Sequence, residues 1–101
     1  MPDLGQAERL LDVDPVGAYR ALAAIVRKVI SDQYGVPAAS LTAREIGGRM
    51  ESQGVDRWQA RLVSGLLQEC EAVVYAGYVP AAERRHADLS MARQIVEGSA
   101  S

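Results

Sequence analysis

Apolar and polar positions along this chain alternate at the three- and four-residue spacing of helix faces, and strand signals are absent. The first clear stripe is Tyr19, Leu22, Val26, Val29 and Ile30, with Ile25 beside it, while Arg20, Arg27, Lys28 and Asp32 fall on the other side. Asp14-Pro15 is placed to open this helix. An aspartate there accepts hydrogen bonds from the unpaired N–H groups of the first turn, and proline lacks an N–H where none is needed. Gly35 suits a left-handed stop and Pro37 prevents continuation.

Thr42 and Glu45 have capping-box spacing, with Leu41 and Ile46 placed as a hydrophobic staple at the start of a second helix. Its body holds Gly47 and Gly48, each costing about 1 kcal/mol relative to Ala, with Ile46 and Met50 as the inward residues. Close approach of another helix is one reason for glycines there, and Gly54 ends the segment. Asp56, with Gln59 at the box position, opens a third helix carrying Leu62, Val63, Leu66, Leu67, Cys70, Val73 and Val74. This is the most apolar helix and is expected at the centre of the core, stopping at Gly77. A last helix is predicted from Pro80 to about Val96, with Ala82, Leu89, Ala92, Ile95 and Val96 inward. The fold class is all-α, a small bundle of about four helices with short connections. Residues 1–13 read as a flexible lead-in with at most one turn of helix, 14–97 as the helical domain, and 98–101 as a frayed tail.

Composition narrows the function classes. With 101 residues there is material for one domain, and with no Phe and 5 % aromatics its core must be aliphatic. The formal net charge of −2 supplies no bulk positive field for nucleic acid. One cysteine forbids an internal disulfide, and one histidine excludes His-paired metal sites. The chain has no run of eighteen apolar residues, and its first residues do not resemble a signal peptide, so a cytoplasmic domain is expected.

Little in the chain carries chemistry, and the expectation is a non-enzymatic domain with no catalytic, cofactor or metal residues. His86, after Arg84 and Arg85, reads as part of a solvated helix face. Cys70 reads as a buried, inert thiol whose pKa Glu69 and Glu71 would raise. Glu69 and Glu71 lie two apart, on different helix faces, and cannot act as a pair. Trp58 is either an aromatic at the edge of the core or an exposed anchor for a partner, and with Arg84 and Arg85 it makes up the candidate partner contacts. The alternative function is a helix-turn-helix DNA-binding domain over residues 42–67. It would present Arg57, Trp58, Gln59 and Arg61 at the start of the recognition helix, with Ala76-Gly77-Tyr78-Val79 as an exit toward a wing. Against it stand the negative net charge and a following segment that reads as a helix start.

Residues 41–75 carry a longer pattern. Leu41, Thr42, Arg44 and Glu45 open a helix, and Gly54-Val55 make a turn. Leu66-Leu67, Cys70-Glu71 and Tyr75 mark a long helix, and Pro80 opens the next. This pattern resembles the cytosolic C-terminal helical domain of BatD-like bacterial membrane proteins, and is also similar to the cytosolic tail of bacterial transglutaminase-like membrane proteins. The Tyr34-Gly35-Val36-Pro37 exit suits the BatD-like case, while Gly47-Gly48 and the Arg84-Arg85-His86 cluster depart from the pattern. The resemblance implies the soluble tail of a larger inner-membrane protein linked to aerotolerance or stress. It also implies a protein partner such as a MoxR-type ATPase or a von Willebrand factor A protein, and no catalytic residues.

Overall fold

The computed structural model describes residues 3–99. Among the described residues five α-helices follow one another: α1 (Leu4–Leu10), α2 (Pro15–Tyr34), α3 (Ala43–Ser52), α4 (Arg57–Ala76) and α5 (Ala82–Ser99). A 3₁₀ turn, Ala38–Ser40, lies between α2 and α3, and no strand occurs among the described residues. The all-α class therefore holds, with one helix more than expected.

The helix ends follow from local side-chain chemistry. Asp14 Oδ1 accepts the Gly17 N–H at 3.1 Å, with Pro15 as the first residue of α2, and Gly35 closes that helix at φ 67°. Thr42 Oγ1 accepts the Glu45 N–H at 3.1 Å while Glu45 Oε1 accepts the Thr42 N–H at 2.9 Å, the two halves of a capping box. Asp56 Oδ2 accepts the Gln59 N–H at 3.2 Å, and Gly77 at φ 70° ends α4.

The core is mainly aliphatic, as the composition leads one to expect, but it also encloses Tyr19. Leu22, Val26, Ile30, Ile46, Met50, Val63, Leu66, Leu67 and Val73 are buried, and α4 packs against α2, α3 and α5. Gly47 sits at the α3–α4 crossing. A Cβ there would stand 3.0 Å from Ser64 Cβ, so the glycine permits the close approach, whereas Gly48 has nothing within 4 Å.

Several expectations need correction. The segment expected as a lead-in contains α1, capped by Asp3, with Ala7 and Leu11 fully inside the core; Met1 and Pro2 lie outside the described residues. A helix this short is unstable alone and is held by packing against α2. The last helix starts at Ala82 and continues through Gly98 and Ser99, where a frayed tail was expected; Ala100 and Ser101 lie outside the described residues. Ala82 is exposed, and Val29, Leu62, Val74, Ile95 and Val96 are only half-buried, at the edges of their apolar stripes. Val36 and Ala38, in the connection after Gly35, are buried and close the core from the side.

Candidate interaction surfaces

Trp58 is 70 % exposed at the start of α4, so it is no part of the core. Asp56 caps that helix end, and the buried face of α4 begins only at Ala60 and Val63. The indole borders an open depression of about 250 Å³ between α4 and α5, lined also by Leu62, Met91, Gln94 and Ile95. Leu62, Met91 and Ile95 are half-buried, giving the tryptophan an apolar floor.

The other two candidate contacts are held within the fold. Arg84 Nη2 donates to Glu69 Oε2 at 3.0 Å, and its Nε lies 3.5 Å from Asp88 Oδ1. Arg85 departs further from the expectation, with a side chain only 16 % exposed. It donates to the Pro80 carbonyl at 2.8 Å and to Asp12 Oδ1 at 2.9 Å, tying the start of α5 to the α1–α2 connection. Arg85 is therefore a structural clamp, while Arg84 remains partly accessible. His86 sits on the exposed face as expected, with Nε2 3.4 Å from Asp12 Oδ2. Asp12 is held below the usual carboxylate range, chiefly by its hydrogen bond from Arg85.

A polar network that sequence patterning did not signal joins α2, α4 and α5 in the interior. The Tyr19 hydroxyl donates to Asp88 Oδ2 at 2.6 Å, and Asp88 is 1 % exposed. Burial pushes the Asp88 carboxyl up, with the neighbouring Glu69 adding to it, while the Tyr19 hydrogen bond and Arg84 oppose the shift. Burial likewise raises the Tyr19 hydroxyl, and so does the Asp88 carboxylate it donates to. Cys70, 1 % exposed, is pushed up to about 12, first by burial and then by Asp88 and Glu69, a setting that disfavours the reactive thiolate. Among the described residues no three His, Cys, Asp or Glu side chains come together as a metal cluster.

Glu69 and Glu71 do take separate partners. Glu71 Oε1 accepts the Ala43 N–H at 3.2 Å and pairs with Arg27 Nη2 at 3.5 Å. Arg27, which patterning put on the solvent side of its helix, also donates to the carbonyls of Ala38 and Leu41. Nothing local in the sequence marks these contacts, because the partners lie eleven or more residues apart.

Two further depressions meet on the face formed by α2, α3 and α4. One, of about 620 Å³, is bordered by Thr42, Arg44, Gln68 and Tyr75; the other, of about 220 Å³, by Arg20, Ala23, Val74 and Tyr75. Tyr75 is 85 % exposed and lies at the edge of both. Comparison of the chain with protein-family models, with curated proteins and with solved structures finds no match. No helix of the described residues is long and apolar enough to cross a membrane.

Proposed function

We propose that this domain is a non-enzymatic protein-interaction module, the cytosolic tail of a larger BatD-like inner-membrane protein linked to aerotolerance or stress. A MoxR-type ATPase or a von Willebrand factor A protein is its partner in this reading. The observation that carries it is Trp58, the largest side chain in the domain, 70 % exposed above the apolar floor of Leu62, Met91 and Ile95. A large aromatic kept in water over partly buried apolar residues is the usual anchor of a protein interface. The BatD-like context is supported by where the shared residues fall. Thr42 and Glu45 are the α3 cap, Gly54-Val55 the α3–α4 turn, and Tyr75 the last turn of α4.

The test is affinity capture from bacterial lysate with the wild-type chain and Trp58→Ala. Retention of a MoxR-type ATPase or a von Willebrand factor A protein by the wild type, reduced at least tenfold by Trp58→Ala, is expected. Trp58→Ala should keep the wild-type melting temperature, since the side chain is exposed. Capture of neither partner refutes the reading.

A second reading, helix-turn-helix DNA binding, draws on the exposure of Arg57, Trp58, Gln59 and Arg61 at the start of α4, after a short turn from α3. It is the weaker reading, because the chain is net negative and residues 76–79 lead into α5 instead of a strand. Saturable, salt-sensitive duplex binding in fluorescence anisotropy, abolished by Arg57→Ala and Arg61→Ala, would replace the first reading with this one.

A further inference from the structure

The face where α2, α3 and α4 meet has a charge signature separate from the Trp58 surface. The ionic groups in its floor are already matched. Arg27 is consumed by the Ala38 and Leu41 carbonyls and by Glu71, and Glu71 also accepts the Ala43 N–H. The rim is unmatched. Arg44 borders the larger depression and Arg20 the smaller. Both are exposed, and neither side chain has an ion pair or hydrogen bond among the described residues. Tyr75 lines both depressions. Each of two unpaired arginines thus shares a depression with the exposed Tyr75, on a chain whose net charge is −2.

We infer that this groove docks an acidic peptide segment of a protein partner, with an apolar side chain against Tyr75 and carboxylates on Arg20 and Arg44. The inference rests on the reading of the domain as a protein-binding module and names the chemistry of a second contact. Guanidinium groups match carboxylates in a fork geometry and lie readily along aromatic faces. A basic segment would meet like charge at both rims, and a duplex, which draws its affinity from many phosphate contacts, would find two cations here.

The experiment selects binders from a random dodecapeptide library on the full chain, then measures each by fluorescence anisotropy at physiological salt. Selected peptides should be net acidic with an aromatic or aliphatic residue. Arg20→Glu/Arg44→Glu should weaken them at least tenfold, and so should Tyr75→Ser. The control Arg9→Glu/Arg49→Glu makes the same change of charge at exposed positions that border neither depression, and should shift affinity by no more than twofold. Neutral or basic peptides, no enrichment at all, or acidic peptides indifferent to Arg20→Glu/Arg44→Glu would each overturn the proposal. So would duplex DNA held through the same two arginines. Binders or captured partners that survive Arg20→Glu/Arg44→Glu but are lost with Trp58→Ala would refute the groove and leave the interaction-module reading standing.

Discussion

Adjacent glycines in α3 give opposite expectations for the same substitution. Gly→Ala in a helix interior gains about 1 kcal/mol from propensity, largely by restricting the unfolded chain. Gly48→Ala meets nothing within 4 Å, so it should realise this gain in full and raise the melting temperature by about 4–8 °C for a domain of this size. Gly47→Ala has the same propensity gain, but its Cβ would lie 3.0 Å from Ser64 Cβ and 3.3 Å from Ser64 Oγ. Carbon atoms in contact prefer roughly 3.5–4.0 Å. Ser64 Cβ is attached directly to the α4 backbone, so relief requires α3 and α4 to part by a few tenths of an ångström. Overpacking of this kind costs about 1–3 kcal/mol, which leaves Gly47→Ala between neutral and about 2 kcal/mol destabilised. Chemical and thermal denaturation followed by circular dichroism would measure both variants, together with Ser64→Gly and the Gly47→Ala/Ser64→Gly pair. The pair should show a favourable coupling of about 1 kcal/mol or more, because removing Ser64 Cβ removes the clash. Equal stabilisation by Gly47→Ala and Gly48→Ala, with no coupling to Ser64, would refute the close α3–α4 crossing.

Four further outcomes follow from the same structure. Leu66 is 2 % exposed in the centre of α4, so Leu66→Ala should cost about 2–5 kcal/mol, a large share of the roughly 5–15 kcal/mol typical of a whole domain; urea titration should show a lower midpoint with an unchanged slope. Thr42→Ala removes one half of the capping box and should cost about 1 kcal/mol, with faster amide exchange at Glu45, and unaltered exchange there would contradict the cap. Asp88 has a folded-state pKa raised above the unfolded value near 3.8, so its contribution to stability is complete below that value and is lost as pH rises through the folded pKa; the stability of wild type relative to Asp88→Asn should fall from pH 3 to pH 7, and a rise would reverse the assignment. Cys70, buried and pushed up to about 12, should resist a thiol reagent in the native state at pH 8 and react stoichiometrically in urea.

Helices α2, α3 and α4 are legible because their punctuation is local. Asp14-Pro15, Thr42-x-x-Glu45, Asp56-x-x-Gln59, Gly35 and Gly77 act within four residues of where they stand, and each is found doing so. α1 escaped because its stripe is short: Leu4, Ala7 and Leu11 have helical spacing, and Asp3 caps Gln6 at 2.7 Å, but a seven-residue helix depends on packing that no local pattern displays. The apolar positions of α5 are less buried than their spacing predicts. Ala82, in its first turn, is exposed, while Asp88, a charged residue, is almost completely enclosed. The candidate surfaces were legible only as residue types. Trp58 was open between core edge and partner anchor, because an amphipathic wheel places it one turn before Leu62 without saying where the neighbouring helix ends.

What the sequence determined by itself was the all-α class, the caps and stops of α2, α3 and α4, the apolar stripes of α2 and α4, and the burial of Cys70. These follow from backbone hydrogen bonding over three or four residues and from the burial of a periodic apolar stripe, both of which depend on neighbours along the chain. What the tertiary structure decided was the pairing of groups distant in the chain. Tyr19 meets Asp88, Arg27 meets Glu71 and the 3₁₀ turn, Arg85 meets Asp12, and Gly47 meets Ser64. The same packing set which large side chains stay in water, so Trp58 and Tyr75 are exposed while Asp88 is not. A side chain's burial depends on where the next helix crosses, and that geometry is a property of the whole assembled core, with no counterpart in any short window of residues.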